Sequence, residues 1–305
     1  MWRRGRAADR AQPYERYDAV AQASSALIVG SYSSSFGLAS SLLGASVRGD
    51  VRNIYALVRV ADEIVDAPRP RQDVSARRVC LDELEANTHT ALSRGSSSNL
   101  VIHAFVGTAR RVGIGTELTA PFFASMRSDL DRVVHDDASL AAYIYGSAEV
   151  VGLMCLRVFV ADEPDAAALY AELAPGARQL GAAFQKVNFL RDFGSDSADL
   201  GRRYLTGLDP LAPTQLAWTR LLDDVDADLA AAAPAIARLP ASSRVAVCTA
   251  HDIFAELSSR LRVTPAKVAM RERVRVSAPV KIRLAAAAAA RRGRVHPPRT
   301  VPVTR

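Results

Sequence analysis

Gln185, Asn188, Asp192 and Asp196, in the segment QKVNFLRDFGSD, are spaced by three, four and four residues. On a helix that spacing sets the side chains in one column, about one turn apart. A second column lies in YALVRVADEIVD, where Tyr55, Arg59, Asp62 and Asp66 follow at four, three and four. Two carboxylates one turn apart repel, which weakens a helix by roughly a few tenths of a kcal/mol. On an otherwise apolar helix the cost rises, because the charges lose water. A cation offsets it. Hard oxygen ligands of this kind suit Mg²⁺, with Mn²⁺ as its alternative, and Mg²⁺ prefers one or two carboxylates plus waters and substrate phosphates. Two facing pairs could hold a metal cluster that binds a diphosphate and stabilises it as a leaving group. The competing reading is that each DxxxD is a solvated helix face. Against it, both pairs sit on apolar helices, one in line with Asn and Gln and the other with Arg and Tyr.

The elements that must carry these columns are helical. VRNIYALVRVADEIVD (51–66) has apolar residues at 51, 54, 57, 58, 61 and 65, a 3.6-residue period, and Pro68 and Pro70 stop it. SARRVCLDELEANTHTAL (75–92) repeats the pattern before a loop, SRGSSSN (93–99). SLAAYIYGSAEVVGLMCLRVFV (139–160) is apolar nearly all round and is expected to be a central buried helix. ARQLGAAFQKVNFLRDF (177–193) is another, followed by GSDSADLGRRYLTGLDP (194–210), read as loop. Two or three more helices precede Pro279 and an alanine-rich one ends near 292. Few stretches alternate with period two, so the expectation is an all-α single domain over 17–292, with a disordered basic arm at 1–16 and a disordered basic tail at 293–305.

The 305 residues and their 49% apolar content are enough for one large core. The formal charge of +7 is concentrated in MWRRGRAADR and RRGRVHPPRTVPVTR, which leaves the middle nearly balanced, so no nucleic-acid partner is expected. Cys80, Cys155 and Cys248 form no CxxC pair, which points to a reduced, cytoplasmic setting. No h-region follows the first arginines and no transmembrane helix is expected. The basic C-terminal helix and tail suit either peripheral association with an anionic membrane or plain solvation. RDFG (191–194) lacks the other kinase elements, GIG (113–115) lacks a strand–helix context, the five histidines have no metal-ligand spacing, and there is no GxSxG.

Several segments, in order from about 30 to 285, resemble the squalene/phytoene synthase family. SSSF (33–36) resembles its S-x-S-F motif, YALVRVADEIVD its first acidic motif, YIYGSAEVVGLM (143–154) its Y-x-x-x-[VSG]-A-x-x-x-G signature, and QKVNFLRDFGSD its second acidic motif, the most specific of the four. GRRYLTGLD and RVRVSAPVKI are similar to two further family stretches. The resemblance implies an all-α isoprenoid-synthase bundle round a central apolar cavity. It implies head-to-head (1–1′) joining of two prenyl diphosphates through a cyclopropylcarbinyl diphosphate, with Mg²⁺. The expected reaction is two geranylgeranyl diphosphates to phytoene. The alternatives are squalene or dehydrosqualene formation from farnesyl diphosphate, or a non-catalytic relative. No redox cofactor is expected unless squalene is the product. Carried over, Asp62, Asp66, Asp192 and Asp196 bind the metal with support from Asn188, and Arg59 and Arg191 meet diphosphate. Ser33, Ser35 and Phe36 flank one substrate site, and Tyr55, Tyr143 and Gln185 line the reacting centre. Ala148 and Gly152 keep a helix thin where a prenyl chain passes, or else serve only close helix packing. Tyr55 and Tyr143 could equally be core residues with a satisfied hydroxyl.

Three departures stand out. The first motif reads Asp62-Glu63 where the family has two aspartates. Glu149 replaces a small residue beside Ala148 and is expected to face away from the cavity or pair with a base. RRYLTGLD lacks the proline of the matching family stretch.

Overall fold

The computed structural model describes residues 12–32, 34–66, 73–131, 134–199, 204–209 and 212–295, with only the backbone described at 13, 34, 35 and 195–199. Its described residues form α1 (Pro13–Tyr32), α2 (Ser34–Ser41), α3 (Ala45–Asp66), α4 (Val74–Arg94), α5 (Leu100–Val112) and α6 (Thr116–Asp131). Then come α7 (Asp137–Ile144), a π-helical turn (Tyr145–Glu149) and α8 (Val150–Val160). The chain closes with α9 (Ala166–Asp199), α10 (Gln215–Arg238), α11 (Ala241–Val263), α12 (Ala266–Ala269) and α13 (Ala278–Ala290). The expected all-α class is the observed one.

The local chemistry explains the breaks. Asp73 caps α4 by accepting from Ala76 N, and Gly95 ends it in the left-handed region at φ 86°. Asn99 caps α5 by accepting from the amides of Val101 and Ile102.

Three sequence expectations are corrected. Residues 13–16, assigned to the basic arm, form the first turn of α1, where Pro at the first position loses no hydrogen bond. Residues 1–11 of that arm lie outside the described residues. Residues 194–199, read as loop, continue α9. Gly194 is not a breaker there. A Cβ at that position would lie 1.8 Å from Met270 O, so the glycine permits a close approach of α9 to the α12 turn. At the other end, Gly293 closes α13 at φ 75° and Val295 packs against Ile236 and Cys248. The described part of the supposed tail therefore belongs to the body, and 296–305 lie outside the described residues.

Asp137–Val160 is long and apolar enough to cross a membrane by composition, contrary to the sequence reading, but half of its apolar window is buried inside the fold. It packs between two cores. One surrounds α3, α5, α6 and α8 with Ile54, Leu57, Phe105, Phe122, Phe123 and Met154. The other surrounds α9, α10 and α11 with Val187, Leu190, Trp218, Leu222 and Leu261. Trp218 is fully buried and its indole Nε1 donates to Leu261 O at 3.1 Å, so its polar atom is satisfied in the core. Each such large side chain contributes about 1.5–3 kcal/mol by burial. Of the two helices with acidic columns, α3 packs in the first core and the 182–193 stretch of α9 in the second.

Candidate active site

α3 turns Val51, Ile54, Leu57, Ala61 and Val65 inward. The same periodicity brings Tyr55 and Arg59 to the wall of a cavity of about 630 Å³. α9 reaches the same cavity from the other side with Phe184, Asn188 and Arg191. The segment after α12 and the start of α13 add Arg273, Arg275 and Lys281. Arg59, Arg191, Arg273, Arg275 and Lys281 thus face one space, which suits a polyanion. The pKa of Lys281 is lowered, first by burial and then by the charge of Arg191.

Carboxylates hold part of this charge in place. Arg59 Nη1 donates to Asp62 Oδ2 at 2.7 Å and its Nη2 pairs with Glu63, while its guanidinium lies 4.5 Å over the Tyr32 ring. Glu63, the departure from the family motif, therefore serves as a second grip on Arg59. Arg191 Nε donates to Asp192 Oδ1 at 3.0 Å, and Arg273 Nε reaches the same carboxylate at 2.8 Å. The carboxyl of Asp62 is pushed up to about 7, first by loss of solvent and then by Asp66, with Asp129 and Glu63 adding and Arg59 opposing. Asn188 Oδ1 is a buried acceptor with no hydrogen-bond partner. Among the described residues no three His, Cys, Asp or Glu side chains stand close enough to hold a metal ion, and the side chain of Asp196 lies outside them.

A second, apolar chamber of about 340 Å³ adjoins the first. Phe36, Ala39, Tyr55, Phe184 and Ala250 line both. Phe36 stacks on Tyr55 at 4.3 Å between centroids, and Phe184 on Phe254 at 3.9 Å, so the neck between the two spaces is aromatic. Ala148 and Gly152 line the chamber, and both are also sites of close packing. A Cβ on Gly152 would lie 2.7 Å from Ala177 O, and one on Gly181 would lie 2.6 Å from Ala148 O. Glu149 points to Arg178, whose Nε donates to it at 2.6 Å, as the sequence reading required.

The remaining expected residues lie elsewhere. Ser33 is outside the described residues, and Ser35 is on α2 with its side chain undescribed. Gln185 is half-buried on α9 and is not among the residues lining either space. Asp66 is exposed at the end of α3. Tyr143 is buried behind the acidic end rather than on a wall: its hydroxyl donates to Asp129 Oδ2 at 2.8 Å. Tyr204 donates to the other oxygen, Oδ1, at 2.6 Å. Burial, then Asp129, raises the pKa of Tyr143 well above the usual tyrosine value.

Sequence reasoning missed Asp129, Tyr204, Arg273 and Arg275, and took Lys281 only as a basic residue of the C-terminal helix that could meet a membrane. Arg273, Arg275 and Lys281 stand in RVRVSAPVKI, a stretch matched to the family without roles for its members. Asp129 has no spacing signal at all, because its partners are 14 and 75 residues away.

Comparison with known proteins agrees with this geometry. A family profile described as squalene/phytoene synthase matches residues 29–280. The chain is 30% identical over 275 residues to a 15-cis-phytoene synthase of Paracoccus sp., covering 83% of this chain and 85% of that protein. It is 27% identical over 180 residues to a 4,4'-diapophytoene synthase of Staphylococcus haemolyticus, covering 59% and 60%. Among solved structures it matches a dehydrosqualene synthase with a TM-score of 0.76 at 23% identity, over 92% of this chain and 99% of that one.

Proposed function

This chain belongs to the squalene/phytoene synthase family, a prenyltransferase of the head-to-head type, and on that premise we propose that it joins two geranylgeranyl diphosphates to phytoene. The observation that carries the reading is the junction of a cation-lined cavity with an apolar chamber through the Phe36–Tyr55 and Phe184–Phe254 neck. One end suits a diphosphate and the other suits a hydrocarbon. The 15-cis-phytoene synthase relative, similar over most of both chains, favours the longer prenyl substrate.

The residues present fit a divalent cation. Asn188 Oδ1 is an orphaned buried oxygen, and Asp62 is held above the usual carboxylate range by burial and by Asp66, which a nearby cation would relieve. Asp62, Asp66, Asn188, Asp192 and Asp196 would hold Mg²⁺, which when bound neutralises the leaving diphosphate. Arg59, Arg191, Arg273, Arg275 and Lys281 bind and orient the diphosphate oxygens, the arginines through paired N–H groups. The neck aromatics present ring faces to the carbon that becomes positive. The walls formed by Val51, Val151, Leu156 and Phe159 exclude water, which would otherwise quench that carbon.

A second reading, farnesyl diphosphate as substrate, has the similarity to the 4,4'-diapophytoene synthase in its favour. Incubating the protein with Mg²⁺ and either geranylgeranyl or farnesyl diphosphate, then identifying the hydrocarbon, decides between them. Phytoene from the longer substrate at the higher kcat/KM is the expected result. Preference for farnesyl diphosphate establishes the second reading, and no condensed product from either makes the protein a non-catalytic relative. The surface between Val263 and Arg283 supports peripheral association with an anionic membrane. It exposes Val263, Val268 and Ile282 beside Lys267, Arg271 and Arg283, next to the mouth where Arg273, Arg275 and Lys281 stand.

A further inference from the structure

The apolar chamber has a closed far end. On α8, Val151, Cys155 and Phe159 stand on its wall, three half-buried apolar residues at four-residue spacing. They form one line of rungs about 6 Å apart, and Phe159 is the last and the largest. Among the described residues the wall stops at Phe159 on α8 and at Leu239 after α10, and it starts at Leu173 on α9. Leu156, Leu173 and Leu239 belong to one buried cluster, and Phe159 packs against it. Burial pushes the Cys155 thiol up to about 12, so the thiol stays protonated and the middle rung is apolar.

Helix contacts put these residues on one scale. Gly152 packs on Ala177 O and Gly181 packs on Ala148 O, so α8 runs antiparallel to α9 and Leu156 is level with Leu173. α10 is also antiparallel to α9, because Gly176 abuts Ala235 while Lys186 Nζ reaches Asp228 Oδ2 at 2.7 Å, and this brings Leu239 to the same level. Phe159 is on the next turn of α8. A long helical side chain leans back toward the N-terminus of its helix, so the ring rises toward that level. Leu156 and Leu173 are 2% exposed and Leu239 is 7% exposed, so they back the floor. Phe159 is the one of the four that keeps accessible surface at the chamber wall.

The floor has a defined depth. From Phe184 at the neck to Leu173 is eleven residues of α9, or about 16 Å along its axis. Asn188, on the charged cavity, is four residues further, or about 6 Å. A chain whose diphosphate is held near Asn188 and Arg191 therefore has roughly 20 Å to run before it meets the floor. An extended prenyl chain advances about 5 Å per five-carbon unit, from four zigzag bonds of about 1.5 Å each. Four units span about 20 Å and reach the floor. Three units stop about 5 Å short, and five overrun it by as much.

We propose that Phe159 selects prenyl chain length: its ring, backed by Leu156, Leu173 and Leu239, receives the terminal dimethylallyl group of a four-unit chain whose diphosphate is in the charged cavity. This rests on the head-to-head reading above, and it adds the residue that tells a geranylgeranyl chain from its neighbours in length. The diphosphate end is common to all these substrates, so discrimination falls to the floor. A shorter chain leaves apolar wall uncovered and gives up the hydrophobic gain of the last unit. A longer chain has to fold back or displace the ring, and the packed cluster behind the ring resists displacement. The chamber cannot widen there by parting its helices without cost, because Gly152, Gly176 and Gly181 already hold α8, α9 and α10 at close contact.

Substitutions at two rungs move the floor in opposite directions. Phe159→Ala removes it, and Cys155→Phe raises it by one turn, or about 6 Å. Each protein is given farnesyl, geranylgeranyl or geranylfarnesyl diphosphate as the sole prenyl substrate, with Mg²⁺. In Phe159→Ala the ratio of kcat/KM for the five-unit over the four-unit substrate should rise about tenfold. In Cys155→Phe the ratio for the three-unit over the four-unit substrate should rise about tenfold. Ratios taken within one protein are independent of how much of it is folded. Phe159→Leu, a milder change, should move the first ratio the same way by less, and it carries the test if Phe159→Ala does not fold. Unchanged ratios in Phe159→Leu and Cys155→Phe overturn the proposal. So does an equal gain of five-unit use in Leu222→Ala, a core change away from the chamber, which would make the effect a general loosening. If wild-type protein forms no condensed product from any prenyl diphosphate, the failure belongs to the head-to-head reading. In that case the rise in melting temperature given by each diphosphate without Mg²⁺ still reads the floor. It should be largest for the four-unit chain in wild type and for the five-unit chain in Phe159→Ala, and the same order in both proteins overturns the proposal.

Discussion

Arg59 is bound to Asp62 by a 2.7 Å ion pair across one helical turn, and the same guanidinium also holds Glu63. In the substrate-free protein the main cation of the first acidic motif is thus occupied by its own carboxylates. On the proposed reading, a diphosphate that uses Arg59 would have to release it, and a metal ion on Asp62 would do so by competing for the carboxylate.

If Arg59 grips phosphate once released, the fork of its guanidinium matters as well as its charge. Arg59→Lys keeps the charge. It should nevertheless raise the inhibition constant of inorganic pyrophosphate about tenfold at saturating Mg²⁺, the loss of one charge-assisted hydrogen bond. An unchanged constant would reduce Arg59 to a counter-ion for Asp62 and Glu63.

The Asp62 carboxyl gives a pH signature in the metal-free protein. Its pKa in the fold is about 7, against 3.8 unfolded. At low pH the group is protonated in both states and costs nothing. As pH rises from about 4 to about 7 the unfolded chain loses the proton and the folded chain keeps it, so stability falls across that window and stays low above it. Asp62→Asn should flatten this dependence, leaving a higher melting temperature than wild type at pH 8 and little difference at pH 4. Magnesium should restore wild type at pH 8 and do much less for the variant. Parallel melting curves of the two proteins across the window would contradict the assignment.

How much of this was legible in the sequence follows from range. The columns 55–59–62–66 and 185–188–192 are local, and helical periodicity alone put their members on two helices. Arg59 and Asn188 do meet at one cavity. The glycine at 194 misled because the sequence shows a breaker and not its neighbour: Met270 O, which forbids any side chain there, is 76 residues away. Asp129 escaped for the same reason, having no periodic partner and acquiring its role from Tyr143 and Tyr204 across the fold. Tyr143 was matched through a motif that specifies its neighbourhood but not its direction, and it turned out to hold Asp129 rather than face the cavity. The π-turn has no composition signature. It depends on Gly146 fitting against Pro121 O, a contact between helices.

Asp192 separates metal binding from packing. Its carboxylate accepts from Arg191 and Arg273 and is mostly buried, while Arg273 is half exposed. If Asp192 holds Mg²⁺ as proposed, Asp192→Asn removes a metal ligand but leaves a side chain that still accepts a hydrogen bond. Turnover should fall at least a hundredfold, with a loss of stability of about 1 kcal/mol or less for the partly exposed pairs. Comparable losses in turnover and in denaturant midpoint would make Asp192 a structural anchor for the segment that contains Arg273.

Membrane association needs a test that leaves the fold intact. Deleting 291–305 is unsuitable, because Arg291 pairs with the buried Asp252 and Val295 packs on Cys248 and Ile236. Charge reversal at Lys267, Arg271 and Arg283 is cleaner, because all three are exposed. Each basic residue near an anionic surface contributes about 1 kcal/mol. The triple variant should therefore bind phosphatidylserine vesicles roughly a hundredfold more weakly than wild type. Neither protein should bind phosphatidylcholine vesicles appreciably if the charge leads. Ile282→Ser should add a smaller loss, since its side chain is 61% exposed and would enter the interface. Salt should erase the difference between wild type and the triple variant, because the attraction decays within a Debye length of about 8 Å at physiological ionic strength. Undiminished binding of the triple variant at low salt would remove this face from any membrane contact and leave its basic residues to the diphosphate mouth they border.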